Sequence, residues 1–287
     1  MKSFEYLKPR RLDEAIGLLD AGNPDVRPAG GGTAIMLMMK AGVLRPSRLV
    51  SLRHLEDEHR RIAVAADGSL HIGGMATLAA LEHDAHVRNG WPVLARAFRT
   101  LSNVRVRNVA MIGGNLAHGD PHMDMPPVLS MLGASVEIQG PGGTRQLPVE
   151  ALCRGYYDTA LEGGELITKV VVPPMRGSQA AYLKVTTRAS HDWPTLGVAV
   201  SLRQEQGQLS HARFFVGAAT DRPTRLAEAE SALLGKALSD AALRQAGEQA
   251  AHALDIVDDQ HGSAEYKKHL LGIYLGRAVR AAIDGMQ

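Results

Sequence analysis

Two glycine-rich segments hold the residues whose types and spacing best suit chemistry in this sequence. The first is Pro28-Ala29-Gly30-Gly31-Gly32-Thr33-Ala34, set between a predicted strand and a predicted helix. Glycines remove the side chains that would block a phosphate and permit positive φ, so several backbone N–H groups can converge on one anion. The N-terminus of the following helix adds partial positive charge. The run has neither the Gly-Lys-Ser/Thr of a P-loop nor the spaced G-x-G-x-x-G of a dinucleotide fingerprint. A tight turn with small residues for packing is the competing reading.

The second segment runs from Ile112-Gly113-Gly114-Asn115 to Asp124. Its paired glycines suit close approach to a pyrophosphate, and Asn115 and Asp124 could bond sugar or ribityl hydroxyls. Two such loops, more than seventy residues apart, fit a ligand with an extended diphosphate better than a mononucleotide. The same stretch carries a rival. His118, Asp120, His122 and Asp124 alternate, and in an extended segment all four would face one way as metal ligands. Gly119, Pro121 and Pro126 disfavour a regular strand, and no distant partner cluster stands out, so no metal is expected.

The elements that must position these loops read as an α+β chain. Strands at Phe4 to Leu7, 26–29 and 48–52 with helices at 12–21 and 34–40 form a small α/β unit, about 1–58. Residues 59–176 read as a mixed-sheet unit. It opens on a hairpin across Asp67-Gly68, continues through helices at 77–84 and 91–100, and has strands at 135–138 and 166–172. Residues 177–287 read as a sheet, with a meander across Gln206-Gly207, closed by helices at 227–234, 239–256 and 264–283.

Composition narrows the function classes. Lys and Arg number 32 against 30 Asp and Glu, a balance that gives no electrostatic case for nucleic acid. Cys153 is the single cysteine, so the chain can form no internal disulfide and cannot supply the four ligands of an iron–sulfur cluster. Met1-Lys2-Ser3-Phe4-Glu5 lacks the apolar run of a signal peptide, and no stretch of about 18 apolar residues appears. A cytoplasmic protein without a transmembrane segment is expected.

Taken together, the two loops are similar to those of a known family. Gly30-Gly31-Gly32-Thr33-Ala34 followed by Met38-Met39-Lys40 resembles the first flavin loop in the medium subunits of molybdenum hydroxylases, which include carbon monoxide dehydrogenase and xanthine dehydrogenase. Val106-Arg107-Asn108, Ile112-Gly113-Gly114-Asn115, Asp120-Pro121 and Asp124-Met125-Pro126 resemble the second loop in the same order. Gly164-Glu165-Leu166-Ile167, Lys184, Arg188 and Asp192 extend the match over essentially the whole chain, closest to the carbon monoxide dehydrogenase type.

The resemblance implies a two-part FAD-binding domain over 1–176 and a C-terminal flavoprotein domain over 177–287. It implies that Gly30, Gly31, Gly32, Thr33 and Ala34 meet the diphosphate of a non-covalent FAD through main-chain amides, with Ile35 nearby. Met111, Ile112, Gly113, Gly114 and Asn115 would lie against the diphosphate and ribityl chain, and Asp124 would accept from adenosine or ribityl hydroxyls. Leu101 and Ile167 would pack on the flavin or adenine, and Lys184 would favour its negative charge; ordinary packing is the competing reading for these three. The sequence departs from the family at Gly30, often alanine, at Ala34, usually polar, at Met111, commonly serine or threonine, and at Pro194, usually small.

By the same resemblance the chain is an electron-transfer oxidoreductase subunit with no catalytic acid–base pair of its own. The molybdenum cofactor and the 2Fe-2S clusters would lie in a large and a small partner subunit, assembled as a dimer of heterotrimers. The alternative is a self-sufficient FAD-dependent oxidoreductase, for which scattered histidines such as His71 and His191 could supply a base, with surface or packing roles as the competing reading.

Overall fold

The computed structural model describes residues 3–285 as an α+β chain built on three main sheets. The first is a small parallel sheet with Glu5–Leu7, Arg48–Ser51 and Val26–Ala29 in that spatial order. Parallel neighbours need crossover connections, here helices Leu12–Leu18 and Thr33–Lys40. Leu12, Ala15 and Ile16 recur at helical spacing and share a core with Val26, Val50 and Leu52.

The second sheet has five strands in the order Ile62–Val64, Leu70–Gly73, Leu166–Val172, Ser135–Gly140, Gly143–Pro148. The sequence reading of a mixed sheet is corrected here, because every pairing is antiparallel. Leu70–Gly73 and Ser135–Gly140 run the same way, but Leu166–Val172 returns between them and opposes both. The Asp67-Gly68 hairpin forms as expected, with Gly68 at φ +84°.

Six helices intervene between Leu70–Gly73 and Ser135–Gly140 and pack their apolar faces under this sheet. Leu78, Leu94, Phe98, Ile112, Leu116 and Val128 are fully buried in one core with Ile72, Ile138 and Val170. Ala85–Gly90, Val104–Arg107 and Ile112–Ala117 are helices the sequence reading lacked. The first two are started by side-chain caps: Asp84 accepts from the amides of His86 and Val87, and Asn103 from that of Val106.

The third sheet is antiparallel: Gln179–Val185, Leu196–Glu205, Gln208–Gly217 and Thr224–Arg225. Strand periodicity divides its two faces. Val198, Val200, Phe214 and Val216 join the core formed with helices Asp240–Ala253 and Ala264–Ile283. Ala180, Ala199 and Phe215 point the other way, into the core of the second unit. No helix among the described residues is long and apolar enough to cross a membrane.

The two long C-terminal helices approach closely where Gly247 meets Gly272: a Cβ on Gly247 would lie 2.8 Å from the Gly272 carbonyl oxygen. Gly247→Ala is therefore expected to lower stability by about 1–3 kcal/mol through overpacking, read as a drop in the urea midpoint. Gly17→Ala, on an exposed helix face with no atom within 4 Å, is the control, expected to raise stability by about 0.5–1 kcal/mol.

Candidate cofactor-binding site

The first glycine loop leaves strand Val26–Ala29 and enters helix Thr33–Lys40 through Gly32, which sits at φ +74°. A left-handed residue at this point turns the chain so that the amides of Thr33, Ala34 and Ile35 open the helix together. No side chain caps this end, and these three amides have no hydrogen-bond partner among the described residues. Thr33, Ala34 and Ile35 are all partly exposed. An anion placed here would meet three N–H donors and the positive end of an eight-residue helix.

The second loop nests directly against the first. A Cβ on Gly31 would lie 2.0 Å from the Val109 carbonyl oxygen and 2.8 Å from the Ala110 Cα, so only glycine allows the two backbones to touch. Met111 locks the contact from the side. Its side chain is buried in the core of the first unit with Leu12, Ile16, Val50 and Leu52. Its Sδ stands 3.0 Å from where a Cβ of Gly30 would be. Gly30 and Met111 are thus in contact and fit one another.

From Met111 the chain enters helix Ile112–Ala117, in spite of two glycines near its start. Gly113 is required by packing, since its Cβ would lie 2.8 Å from the Gly74 carbonyl and 3.0 Å from that of Ile167. Its amide donates to Gly74 (2.8 Å), and the amide of Ile112 donates to Ala76 (3.0 Å). Neither amide is therefore open to a ligand. Gly114 differs: nothing lies within 4 Å of its Cβ position, and its amide has no partner among the described residues. Beside it, Asn115 is buried with its Nδ2 on the Met123 sulfur (3.3 Å) and its Oδ1 unpartnered. An orphaned buried acceptor is costly unless a ligand completes it.

Asp124 and Lys184, expected to face the cofactor separately, pair with each other at 2.9 Å, both almost fully buried. Asp124 Oδ1 also accepts from the Tyr182 hydroxyl (2.6 Å), and Lys184 Nζ donates to the Thr100 carbonyl (3.2 Å). Burial pushes the Asp124 carboxyl above the usual carboxylate range against the opposing pull of Lys184, and burial likewise raises the Tyr182 phenol. Leu101 and Ile167 are buried in the same core as Ile112, with Ile167 presenting its carbonyl to both Gly74 and Gly113. The basic segment is partly committed inside the fold, since Arg107 donates to Glu82 (2.8 Å) and to the Ser102 carbonyl (2.7 Å).

The alternating His/Asp series does not converge on one point, and no metal-ligating cluster occurs among the described residues. Gly119, at φ +69°, turns the chain; Asp120 accepts from the backbone amide of His122 and meets its ring, while Asp124 pairs with Lys184 instead. The sequence reading missed Gly74, whose Cβ would lie 2.0 Å from the Ile167 carbonyl. The available signal was the Gly73-Gly74 pair at the end of a strand. It also missed Tyr182, two residues before Lys184 and therefore on the same strand face.

Two glycine loops from different units, packed backbone to backbone with open amides at their edge, define a nucleotide-cofactor class of α+β protein. Comparison with known proteins gives the family. Residues 2–175 match the FAD binding domain in molybdopterin dehydrogenase, and residues 181–282 match the CO dehydrogenase flavoprotein C-terminal domain. The chain is 33% identical over 282 residues to the carbon monoxide dehydrogenase medium chain of Afipia carboxidovorans, covering 98% of this chain and 96% of that one. It is 28% identical to the putative xanthine dehydrogenase FAD-binding subunit of Escherichia coli, covering 97% and 95%. A solved structure of carbon monoxide dehydrogenase from Hydrogenophaga pseudoflava superposes with a TM-score of 0.93 at 33% identity, over 99% of this chain and 98% of that one. The chain belongs to the FAD-binding medium subunits of the molybdenum hydroxylases, a family of oxidoreductases.

The Gly30–Met111 contact makes a double-mutant prediction. Gly30→Ala alone is expected to cost about 1–3 kcal/mol by crowding the buried Met111 side chain. In a Met111→Ser background the same change is expected to be milder, giving a coupling of about 0.5–3 kcal/mol in a urea-denaturation cycle. Additive effects would show that the contact carries no energy.

Proposed function

We propose that this chain is the FAD-carrying electron-transfer subunit of a molybdenum-containing hydroxylase. In that role it receives electrons from 2Fe-2S clusters in a small partner subunit and passes them to an external acceptor. The substrate is oxidised at a molybdenum cofactor in a large partner subunit. The medium-chain and FAD-binding-subunit names of the relatives support such partners, and a cytoplasmic dimer of heterotrimers is the assembly proposed. The FAD-binding part is taken as 1–176 and the C-terminal part as 177–287.

The observation that carries this reading is the nested pair of loops, with the Thr33–Ile35 amides open on one side and Gly114 and the Asn115 Oδ1 on the other. The residues fit an extended diphosphate with a polyol chain. Thr33, Ala34 and Ile35 would hold phosphate oxygens, Gly114 would let the ligand approach the backbone, and Asn115 Oδ1 would accept from a hydroxyl. Gly30, Gly31, Gly32, Met111, Ile112 and Gly113 shape the cradle. Leu101, Ile167 and the Asp124–Lys184 pair form the wall behind it, where a closed ion pair contributes far less field than a free cation. Bound in this cradle, FAD would accept electrons singly and release them in pairs, and that chemistry belongs to the cofactor.

The purified full chain is expected to carry near-equimolar non-covalent FAD and no iron, measured by its absorption spectrum before and after FAD is added. A chain that remains colourless after reconstitution would refute the reading. Asn115→Leu, which keeps the branched shape of the side chain, separates a ligand role from a structural one. Because the acceptor it removes is unpartnered in the free protein, the variant is expected to match or exceed the wild-type melting temperature without flavin. It is expected to bind FAD about tenfold more weakly, the loss of one hydrogen bond.

A further inference from the structure

Beyond the glycine loops, one set of buried ionisable groups has no role in the reading above. The segment His118–Asp124 leaves helix Ile112–Ala117 and is bonded at Pro121 to Ala218, which follows strand Gln208–Gly217. His122 lies on it between two carboxylates. Its Nδ1 is 2.9 Å from Asp120 Oδ1, and its Nε2 is 2.8 Å from Asp259 Oδ2. Lys267, with no exposed side-chain surface, pairs with the same Asp259 oxygen and donates to the Ala218 carbonyl (2.7 Å). On the far side the Tyr157 hydroxyl donates to Asp120 Oδ2 (2.9 Å), and the Tyr157 amide donates to the Gly119 carbonyl (2.8 Å).

This geometry fixes the protonation state. A neutral imidazole has one N–H, so one of the two carboxylates would face a bare lone pair at hydrogen-bond distance. The imidazolium donates to both. Charge balance agrees: Asp120, His122, Asp259 and Lys267 sum to zero with His122 protonated, and to one uncompensated buried negative charge without it.

The segment held in this way carries the site. Asn115 rests on Met123, whose amide bonds the Asp120 carbonyl (3.1 Å), and Asp124 follows directly with its Tyr182 and Lys184 partners. Asp259 and Lys267 belong to the C-terminal helical part, and the Ala218 amide adds a bond to the Pro121 carbonyl (3.0 Å). We propose that His122 is a positioning residue which, as an imidazolium bridging Asp120 and Asp259, fastens the second flavin loop to the C-terminal part of the chain. Loss of its proton loosens the loop and lowers flavin affinity. The flavin half of this statement rests on the FAD reading; the fastening does not.

The surroundings of His122 favour the charge. Asp120 faces it from its own segment, Asp259 and His261 from the 259–262 turn, and the edge of Trp193 from the segment before Leu196. Lys267 reaches it only through Asp259. Tyr157 bonds Asp120, and the charges of Asp259, Asp221 and Asp120 act on Tyr156. Burial opposes the His122 charge, but hydrogen bonds to the two carboxylates outweigh it and hold the imidazole above its ordinary value. His261, ring centroids 5.1 Å away, is pushed below its ordinary value by burial and then by the His122 charge. A raised folded value means that the stabilisation is complete below the unfolded value of about 6.5. It is lost as pH rises through the folded one.

The test compares the full wild-type chain with His122→Gln between pH 6 and pH 9. Flavin affinity, followed by FAD fluorescence, is expected to be about tenfold weaker in the variant at pH 6, a coupling of ordinary size between linked sites. The variant's affinity is expected to stay flat with pH while the wild type falls toward it. Equal affinities, or equal pH slopes, overturn the proposal. Thermal denaturation without flavin tests the fastening independently: the gap in melting temperature between the two chains is expected to close as pH rises, and a constant gap overturns it. If neither chain binds FAD, the melting curves still decide the fastening, and only the FAD reading falls. Should the variant not fold, the NMR titration of His122 in the wild type decides. A midpoint above 6.5 is expected, and one at or below it overturns the proposal.

Discussion

The constraint on which the site depends is a contact between two backbones. Gly31 touches the Val109–Ala110 peptide with no side chain between them, and that contact joins a loop of the parallel sheet to the connection between helices Val104–Arg107 and Ile112–Ala117. It can form only because Gly31 has no Cβ and because Met111 is buried in the opposite unit, holding the second loop in register with the first. Gly113 and Gly74 repeat the device one layer deeper, where the helix Ile112–Ala117 lies on the edge of the Leu166–Val172 strand. The close packing of small residues therefore settles where the open amides point. A shift of an ångström in either loop would separate the donors that the proposed site brings to one ligand.

The third sheet serves this arrangement through strand alternation. Ala180, Tyr182 and Lys184 share one face of Gln179–Val185, and that face is the one packed on the second unit. The small Ala180 allows close approach, while Tyr182 and Lys184 reach Asp124 at the start of helix Met125–Met131. Next to them, Gly197 leaves room for the Tyr182 hydroxyl, which would lie 2.6 Å from a Cβ there. The Asp124–Tyr182–Lys184 cluster is thus assembled by elements some sixty residues apart in sequence, by apolar packing first and a buried ion pair second.

What was legible in the sequence follows from range. The Asp67-Gly68 and Gln206-Gly207 hairpins depend on turn residues and adjacent alternation, and both form as read. The helices Thr33–Lys40 and Ala264–Ile283 follow from local propensity and spacing. Strand order in the five-stranded sheet does not, because the insertion of Leu166–Val172 between two earlier strands is written in no local pattern. Helix Ile112–Ala117 was hidden by its glycines, which lower helix propensity; contacts with Gly74 and Ile167 override that cost. The glycine loops themselves were visible as loops. Which of their amides remain open was not, since the partners of Ile112 and Gly113 come from residues 74–76. In the alternating His118 to Asp124 series, His122 is bracketed by Asp120 and the distant Asp259, and Asp124 pairs with Lys184, partners that no local pattern shows.

The electrostatic character of the cradle follows from the same geometry. Arg107 is held by Glu82, and Lys184 by Asp124, so neither leaves a free cation to meet a diphosphate. In the proposed site, main-chain amides and the N-terminus of helix Thr33–Lys40 would supply positive potential. Such dipoles are fixed in direction and act at contact distance, where salt screens them little; mobile surface cations act over longer range and are screened within about 8–10 Å. Affinity in a site of this kind is governed less by how many charges line it than by how accurately the backbone is held. In the proposed site the backbone is held by glycines, a core methionine and a buried asparagine, in a chain whose own net charge is +2.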